Sequence, residues 1–134
     1  MSKLIKKVAL IGGGVIGGGW AARFLLNGID VNVYDPSDSA ERSLNQMLSN
    51  ARAAYSKLTM APLVKPGKLV FLDSLEKVVQ DVEFVQESAP ENPDLKCSIL
   101  KEIEQFASET SLICSSTSGL KPSDLQAEMK HPER

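Results

Sequence analysis

Residues 8–35 read VALIGGGVIGGGWAARFLLNGIDVNVYD, and this stretch decides the fold. It opens on four apolar residues, Val8 to Ile11, a run suited to a buried central strand. A glycine-rich turn, Gly12 to Gly19, follows. Ile16, Trp20 and Phe24 then recur every four residues beside Ala21 and Leu25, the spacing of one helix face. Asn27-Gly28 can end that helix, because glycine tolerates the left-handed conformation just past a helix terminus. Val31 to Asp35 reads as a second strand. A strand, a glycine turn, an amphipathic helix and a second strand together make the first half of a nucleotide-binding βαβ unit.

Inside that unit, Gly12, Gly13, Gly14, Val15, Ile16 and Gly17 fit the pattern GxGxxG. Gly12 permits the tight turn, Gly14 lets the backbone approach a pyrophosphate, and Gly17 lets the helix pack near the strand. The free N–H groups and the positive end of the helix dipole favour an anion there. Asp35 stands 18 residues after Gly17, at the tip of the second strand. A carboxylate there can accept hydrogen bonds from an adenosine ribose. Its charge repels the 2′-phosphate of NADP, and Pro36-Ser37-Asp38 brings no arginine to offset it, so NAD is the expected cofactor. The glycines alone leave FAD and S-adenosylmethionine open, since both are bound by related loops.

Beyond Asp35 the pattern keeps alternating between strand and helix, which implies an α/β Rossmann-type doubly wound domain with a mainly parallel sheet. Asp38 and Glu41 have the spacing of a capping box, ahead of a helix with Leu44, Leu48, Ala51, Tyr55 and Leu58 along one side. A loop is expected over Met60–Gly67, a short strand over Lys68–Leu72, a short helix over Ser74–Val79 and a strand over Glu83–Glu87. Asn92 caps a helix that starts at Pro93 and buries Leu95, Ile99, Ile103 and Phe106. Ser111–Cys114 is the next strand, Ser115–Gly119 a polar loop at its end, and Pro122–Met129 a helical turn or two. Lys130 to Arg134 carries no structural signal of its own. Two polar segments, 85–96 and 115–119, thus fall just past strand ends, the edge where open α/β sheets bind ligands.

The bulk properties agree. A chain of 134 residues suits one domain, here residues 1–134, with its own core. Apolar residues are 43% and charged residues 24%, and the net charge is −2, so no basic surface for nucleic acid is implied. No apolar run approaches the roughly 20 residues of a membrane span. The basic start, Met1 to Lys7, lacks the apolar region and cleavage site of a signal peptide, and a cytoplasmic protein is expected. Cys97 and Cys114 form no CxxC and read as buried thiols; no metal site is expected.

The segments VALIGGGVIGGGWAARF, VYDP, VQESAPENPDLK and CSSTSGLKPSDLQ together resemble the NAD-binding domain of the 3-hydroxyacyl-CoA dehydrogenase superfamily. Within it, ARFLLNGIDVNVYDP, AYSKLTMAPL, STSGLKPSDLQ and HPER look most like the branch that oxidises L-carnitine. The 3-hydroxyacyl-CoA and L-gulonate dehydrogenases of the superfamily are the alternative substrate classes, and a stand-alone NAD-binding module the alternative kind of protein. The resemblance implies that Gly12 to Gly17 hold the NAD pyrophosphate and Asp35 the adenosine ribose. It places Glu91 and Lys96 by the nicotinamide-side ribose, and Ser118 near the nicotinamide, where it orients the substrate hydroxyl as the catalytic contact. The family's histidine base, its glutamate partner and its helical C-terminal domain, which carries the dimer interface, fall beyond Arg134. His131-Pro132 is followed by Glu133-Arg134 and does not match the base's motif, so His131 reads as a surface residue. The chain is therefore expected to be the N-terminal part of a longer, homodimeric enzyme acting on a small hydroxy substrate.

Overall fold

A computed structural model describes residues 4–58 and 64–134; residues 60–63 of the loop expected over Met60–Gly67 lie outside the described residues. Five strands, β1 (Lys7–Ile11), β2 (Asp30–Tyr34), β3 (Leu69–Phe71), β4 (Phe84–Glu87) and β5 (Leu112–Ser115), form one parallel sheet in the order β3-β2-β1-β4-β5. The helices are α1 (Val15–Leu25), α2 (Ala40–Leu58), α3 (Leu75–Val79), α4 (Pro93–Phe106) and α5 (Pro122–Leu125). This is the doubly wound α/β fold that the alternation implied. The chain order reverses between β1 and β4, which opens a crevice at their carboxyl ends.

Alternate residues of each strand point to opposite faces of the sheet. Val8, Leu10, Val31 and Val33 meet Ala21 and Leu25 of α1 and Leu44 of α2 on one face. Ala9, Ile11 and Val85 meet α3 and Leu100 and Ile103 of α4 on the other. Val8 to Ile11 are at most 2% exposed, as a central strand covered on both sides requires.

The register fixes the site. Ile11 pairs with Tyr34 on one side and with Glu87 on the other, and Glu87 pairs with Ser115. Four strand ends therefore stand in one row. The ladder runs one step further: Gly12 N donates to Tyr34 O, Ser88 N to Ile11 O and Ser116 N to Glu87 O, each at 2.8 Å.

Three local expectations are corrected. The helix begins at Val15, so the turn spans only Gly12 to Gly14, and Gly17 to Gly19 are helical. Its buried residues are Gly17, Gly18, Ala21 and Leu25, of which Gly18 lies against Leu44 and Met47 of α2, whereas Ile16 is 57% exposed and Trp20 is only partly covered. Small residues let α1 settle close to the sheet, which turns the bulky ones to its flank. There Trp20 stacks on Phe24 with ring centroids 5.6 Å apart, and both rings lie against Phe84. In α4 the deepest residues are Lys96, Leu100 and Ile103; Ile99 and Phe106 are half-buried and Leu95 is 41% exposed. The face is rotated because a lysine lies beneath it, and hydrophobic periodicity gives a lysine no weight. Finally, α2 starts at Ala40, so the cap position falls on Ser39 and not on Asp38. In the turn after β2, Ser37 N donates to Asp35 Oδ1 and Ala40 N to Ser37 O.

Asn92 caps α4 as expected, its Oδ1 accepting from Leu95 N at 3.0 Å with Pro93 in the first turn. The terminal residues, which carried no signal, are nonetheless tied down. Lys130 N and His131 N donate to the Glu104 carboxylate at 2.7 and 2.5 Å, and Ile113 N of β5 donates to Arg134 O at 3.1 Å. His131 is exposed, as expected. Among the described residues no helix is long and apolar enough to cross a membrane, and no cluster of residues could hold a metal ion.

Candidate functional site

Each glycine of the fingerprint has a separate physical task. Gly12 has φ +99°, and a Cβ there would meet Ser88 O at 2.7 Å. A Cβ on Gly17 would stand 1.9 Å from Gly12 O, so only glycine lets the first turn of α1 lie over the end of β1. Gly14 differs, since a Cβ on it would meet nothing within 4 Å. The fold does not need a glycine there; the space in front of it is open to a ligand. Gly14 is also the N-cap of α1, with no side-chain cap and no acidic residue in the first turn. The N–H groups at that helix end lack helical partners and no carboxylate of the helix itself neutralises its positive end, so an anion is well received there.

Asp35 follows β2 and is fixed by two backbone donors, Gly13 N to Oδ2 at 2.6 Å and Ser37 N to Oδ1 at 2.8 Å. Each carboxylate oxygen keeps a lone pair for another donor. A cleft of about 670 Å³ runs between Gly12, Gly14, Asp35, Ser37 and Ser88 on one side and Leu95, Ile99 and Glu102 of α4 on the other. That volume lies within the range of small-molecule and cofactor sites. The residues fit a dinucleotide: a phosphate turn with room at Gly14, a fixed carboxylate for a ribose, and apolar walls at Leu75, Leu95 and Ile99 for a base.

At the β4–β5 end of the row, the expected residues come together in an arrangement the sequence did not disclose. Glu91 Oε1 accepts from Thr117 Oγ1 at 2.6 Å, Ser118 N at 3.1 Å and Gly119 N at 3.3 Å, and so gathers the serine-rich loop onto the 88–92 segment. The Thr117 hydroxyl, then the two backbone N–H groups, then the nearby Lys96 ammonium stabilise the carboxylate and pull its pKa down to about 2. Lys96 is fully buried, with Nζ 2.9 and 3.0 Å from the two oxygens of Glu87, 3.1 Å from Ala89 O and 3.7 Å from Glu91 Oε2. Ser118 is exposed at the top of the loop.

Glu87 is the residue sequence reasoning missed. It is fully buried, and besides Lys96 it accepts from Ala89 N at 2.5 Å and from Ser115 Oγ. Ser116 Oγ is held in turn by Gln86 Nε2 at 2.7 Å and lies 3.0 Å from Ser88 Oγ. The available signal was a carboxylate ending an otherwise buried strand, nine residues before a lysine.

Comparison with known proteins agrees with this geometry. Residues 7–134 match the family pattern described as 3-hydroxyacyl-CoA dehydrogenase, NAD binding domain. The chain is 57% identical over 130 residues to an L-carnitine dehydrogenase/betainyl-CoA thioesterase of Rhizobium meliloti, covering 97% of this chain and 26% of that one. It is 49% identical to an L-carnitine dehydrogenase of Mesorhizobium japonicum, covering 98% of this chain and 36% of that one. The chain thus spans between a quarter and two-fifths of the length of such relatives. Among solved structures, 5-formyl-3-hydroxy-2-methylpyridine 4-carboxylic acid 5-dehydrogenase, an NAD-dependent dismutase, superposes with a TM-score of 0.86 at 32% identity, over 97% of this chain and 42% of that one. The (S)-3-hydroxybutyryl-CoA dehydrogenase of Ralstonia eutropha superposes with a TM-score of 0.81 at 26% identity, over 97% and 47%. The chain belongs to the 3-hydroxyacyl-CoA dehydrogenase family, as its NAD-binding domain.

Proposed function

We propose that this chain is the cofactor-binding part of an L-carnitine 3-dehydrogenase, a cytoplasmic enzyme that is a homodimer at full length. The observation that carries the substrate is the 57% identity to a relative of that name over 97% of the chain. Gly12 to Gly17 hold the pyrophosphate, with the open face of Gly14 against it. Asp35 accepts from the adenosine ribose and repels a 2′-phosphate. Glu91 and Lys96 border the nicotinamide-side ribose, Glu91 from the rim and Lys96 from beneath. Ser118, exposed on a loop anchored at both ends, orients the substrate hydroxyl.

In the reaction, a secondary alcohol becomes a ketone: the carbinol carbon gives up a hydride and the hydroxyl gives up a proton. Bound NAD supplies the hydride acceptor. The proton needs a base, and the sequence has one histidine, His131, which is exposed on the terminal segment and hydrogen-bonded through its backbone to Glu104. A positioned base contributes about 10²–10⁴-fold, so these 134 residues, which bind NAD, turn over little or no carnitine. Calorimetric titration with NAD and NADP, and absorbance of NADH after adding carnitine, tests this. Saturable NAD binding, weaker NADP binding and no NADH are expected. A folded chain that ignores NAD, or carnitine-dependent NADH from the chain alone, would overturn it.

A further inference from the structure

We propose that Glu87 is a positioning residue, which acts through the buried Lys96 ammonium and Glu91 to set the loop Ser115–Gly119 and with it Ser118. The proposal deepens the nicotinamide-side reading of Ser118 and rests on it.

The argument starts from what burial demands. A carboxylate and an ammonium, both fully buried, are favourable only if their remaining donors and acceptors are satisfied. Here they are: the ammonium reaches both Glu87 oxygens and Ala89 O, and Glu87 also accepts from Ala89 N and Ser115 Oγ. An apolar pair would fill the same space with less desolvation. The charged pair does what an apolar pair cannot, because its bonds have direction and end on three separate segments: the tip of β4, the first turn of α4 and the tip of β5.

Those three segments surround the serine-rich loop, and the loop is held from both ends. Ser115 is bonded to Glu87, while Thr117, Ser118 and Gly119 are bonded to Glu91 Oε1. Between the two carboxylates sits one ammonium, close to Glu87 and 3.7 Å from Glu91. With the Glu87 carboxylate in place, the ammonium is held at both its oxygens and leaves Glu91 to the loop. With that carboxylate replaced, Glu91 becomes the nearest anion to the ammonium. Glu91 is then drawn inward, away from the N–H groups of Ser118 and Gly119.

The test separates position from stability. Glu87→Gln removes the carboxylate charge and keeps Lys96, so Glu91, 3.7 Å away, is left as the nearest anion to the ammonium. ADP serves as the probe of the glycine turn and Asp35, and NAD as the probe of the whole cleft. Calorimetry is expected to show ADP affinity within about twofold of the unaltered chain and NAD affinity at least tenfold weaker. Native-state hydrogen exchange is expected to show lost protection at the Ser118 and Gly119 amides, with the amides of β1 unchanged. Equal weakening of both ligands marks a merely structural pair and overturns the proposal, as does unchanged NAD affinity with protected loop amides. If Glu87→Gln does not fold, Glu87→Asp, which keeps the charge and shortens the reach, is expected to give the same one-sided loss; affinities equal to the unaltered chain would again overturn it. Failure of the unaltered chain to bind NAD would instead count against the cofactor assignments, and the exchange measurement, which needs no ligand, still decides the role of Glu87.

Discussion

Gly14 and Gly17 stand three residues apart and answer to different demands, so their alanine variants are expected to fail in different ways. A methyl group on Gly17 collides with a backbone oxygen that cannot move aside. Overpacking of that kind costs about 3 kcal/mol, a fall in melting temperature on the order of 10 °C for a domain of this size. A methyl group on Gly14 meets open space, so Gly14→Ala melts within a few degrees of the unaltered chain and loses NAD by tenfold or more. Thermal melts paired with titrations check both. Asp35→Ala removes a charge-assisted acceptor, an interaction worth about 1.5–3 kcal/mol. NAD affinity is expected to drop by about one to two orders of magnitude, with NADP hurt less because a repulsion disappears with it. At Glu91 the folded-state pKa, about 2, lies below the ordinary value of 4.5. The unfolded chain therefore binds more protons between those values, and stability gained from this group is present above pH 4.5 and lost as pH falls toward 2. A ¹³C titration of the Glu91 carboxyl checks the value; a midpoint near 4.5 would deny the loop anchor.

At the scale of elements, α4 is the most informative, since it lines the cleft with one side and the core with another. Ile103 is fully buried at its centre, and Ile103→Ala is expected to cost about 2–5 kcal/mol in denaturant unfolding. The order and type of the elements were legible because each has a strong local marker: the glycine turn after β1, Asn92-Pro93 at the head of α4, the apolar β1. The faces of α1 and α4 were not. Periodicity assumes that the bulkiest apolar residues point inward, whereas Gly17 and Ala21 draw α1 close by being small and Lys96 goes inward because Glu87 awaits it. Partners nine residues apart, joined only after a strand and a helix have docked, leave no periodic trace. The fingerprint residues and Asp35, by contrast, are defined by strand–turn–helix order within one βαβ unit, and that order is visible in the sequence.

For the molecule as a whole, the row of strand ends divides the work: the β1–β2 half presents Gly12 to Gly17 and Asp35, and the β4–β5 half presents Glu91, Lys96 and Ser118. The parallel register sets both halves at one level, so a change that slides β4 or β5 displaces the second half without touching the first. Ala9→Asp, placing a charge where Ala9 is fully buried, is expected to abolish folding and both halves with it, visible as loss of the cooperative melt. One feature of the far side offers a practical use. The sequence holds a single tryptophan, Trp20, stacked on Phe24 along the flank of the same helix whose start carries the glycine turn. Its indole is outside the lining of the cleft. Its fluorescence is thus an optical gauge of α1 seen from behind: a change in emission when a nucleotide is added would report movement of the helix against Phe84, and a constant emission would report that the phosphate turn receives its ligand as a rigid mould.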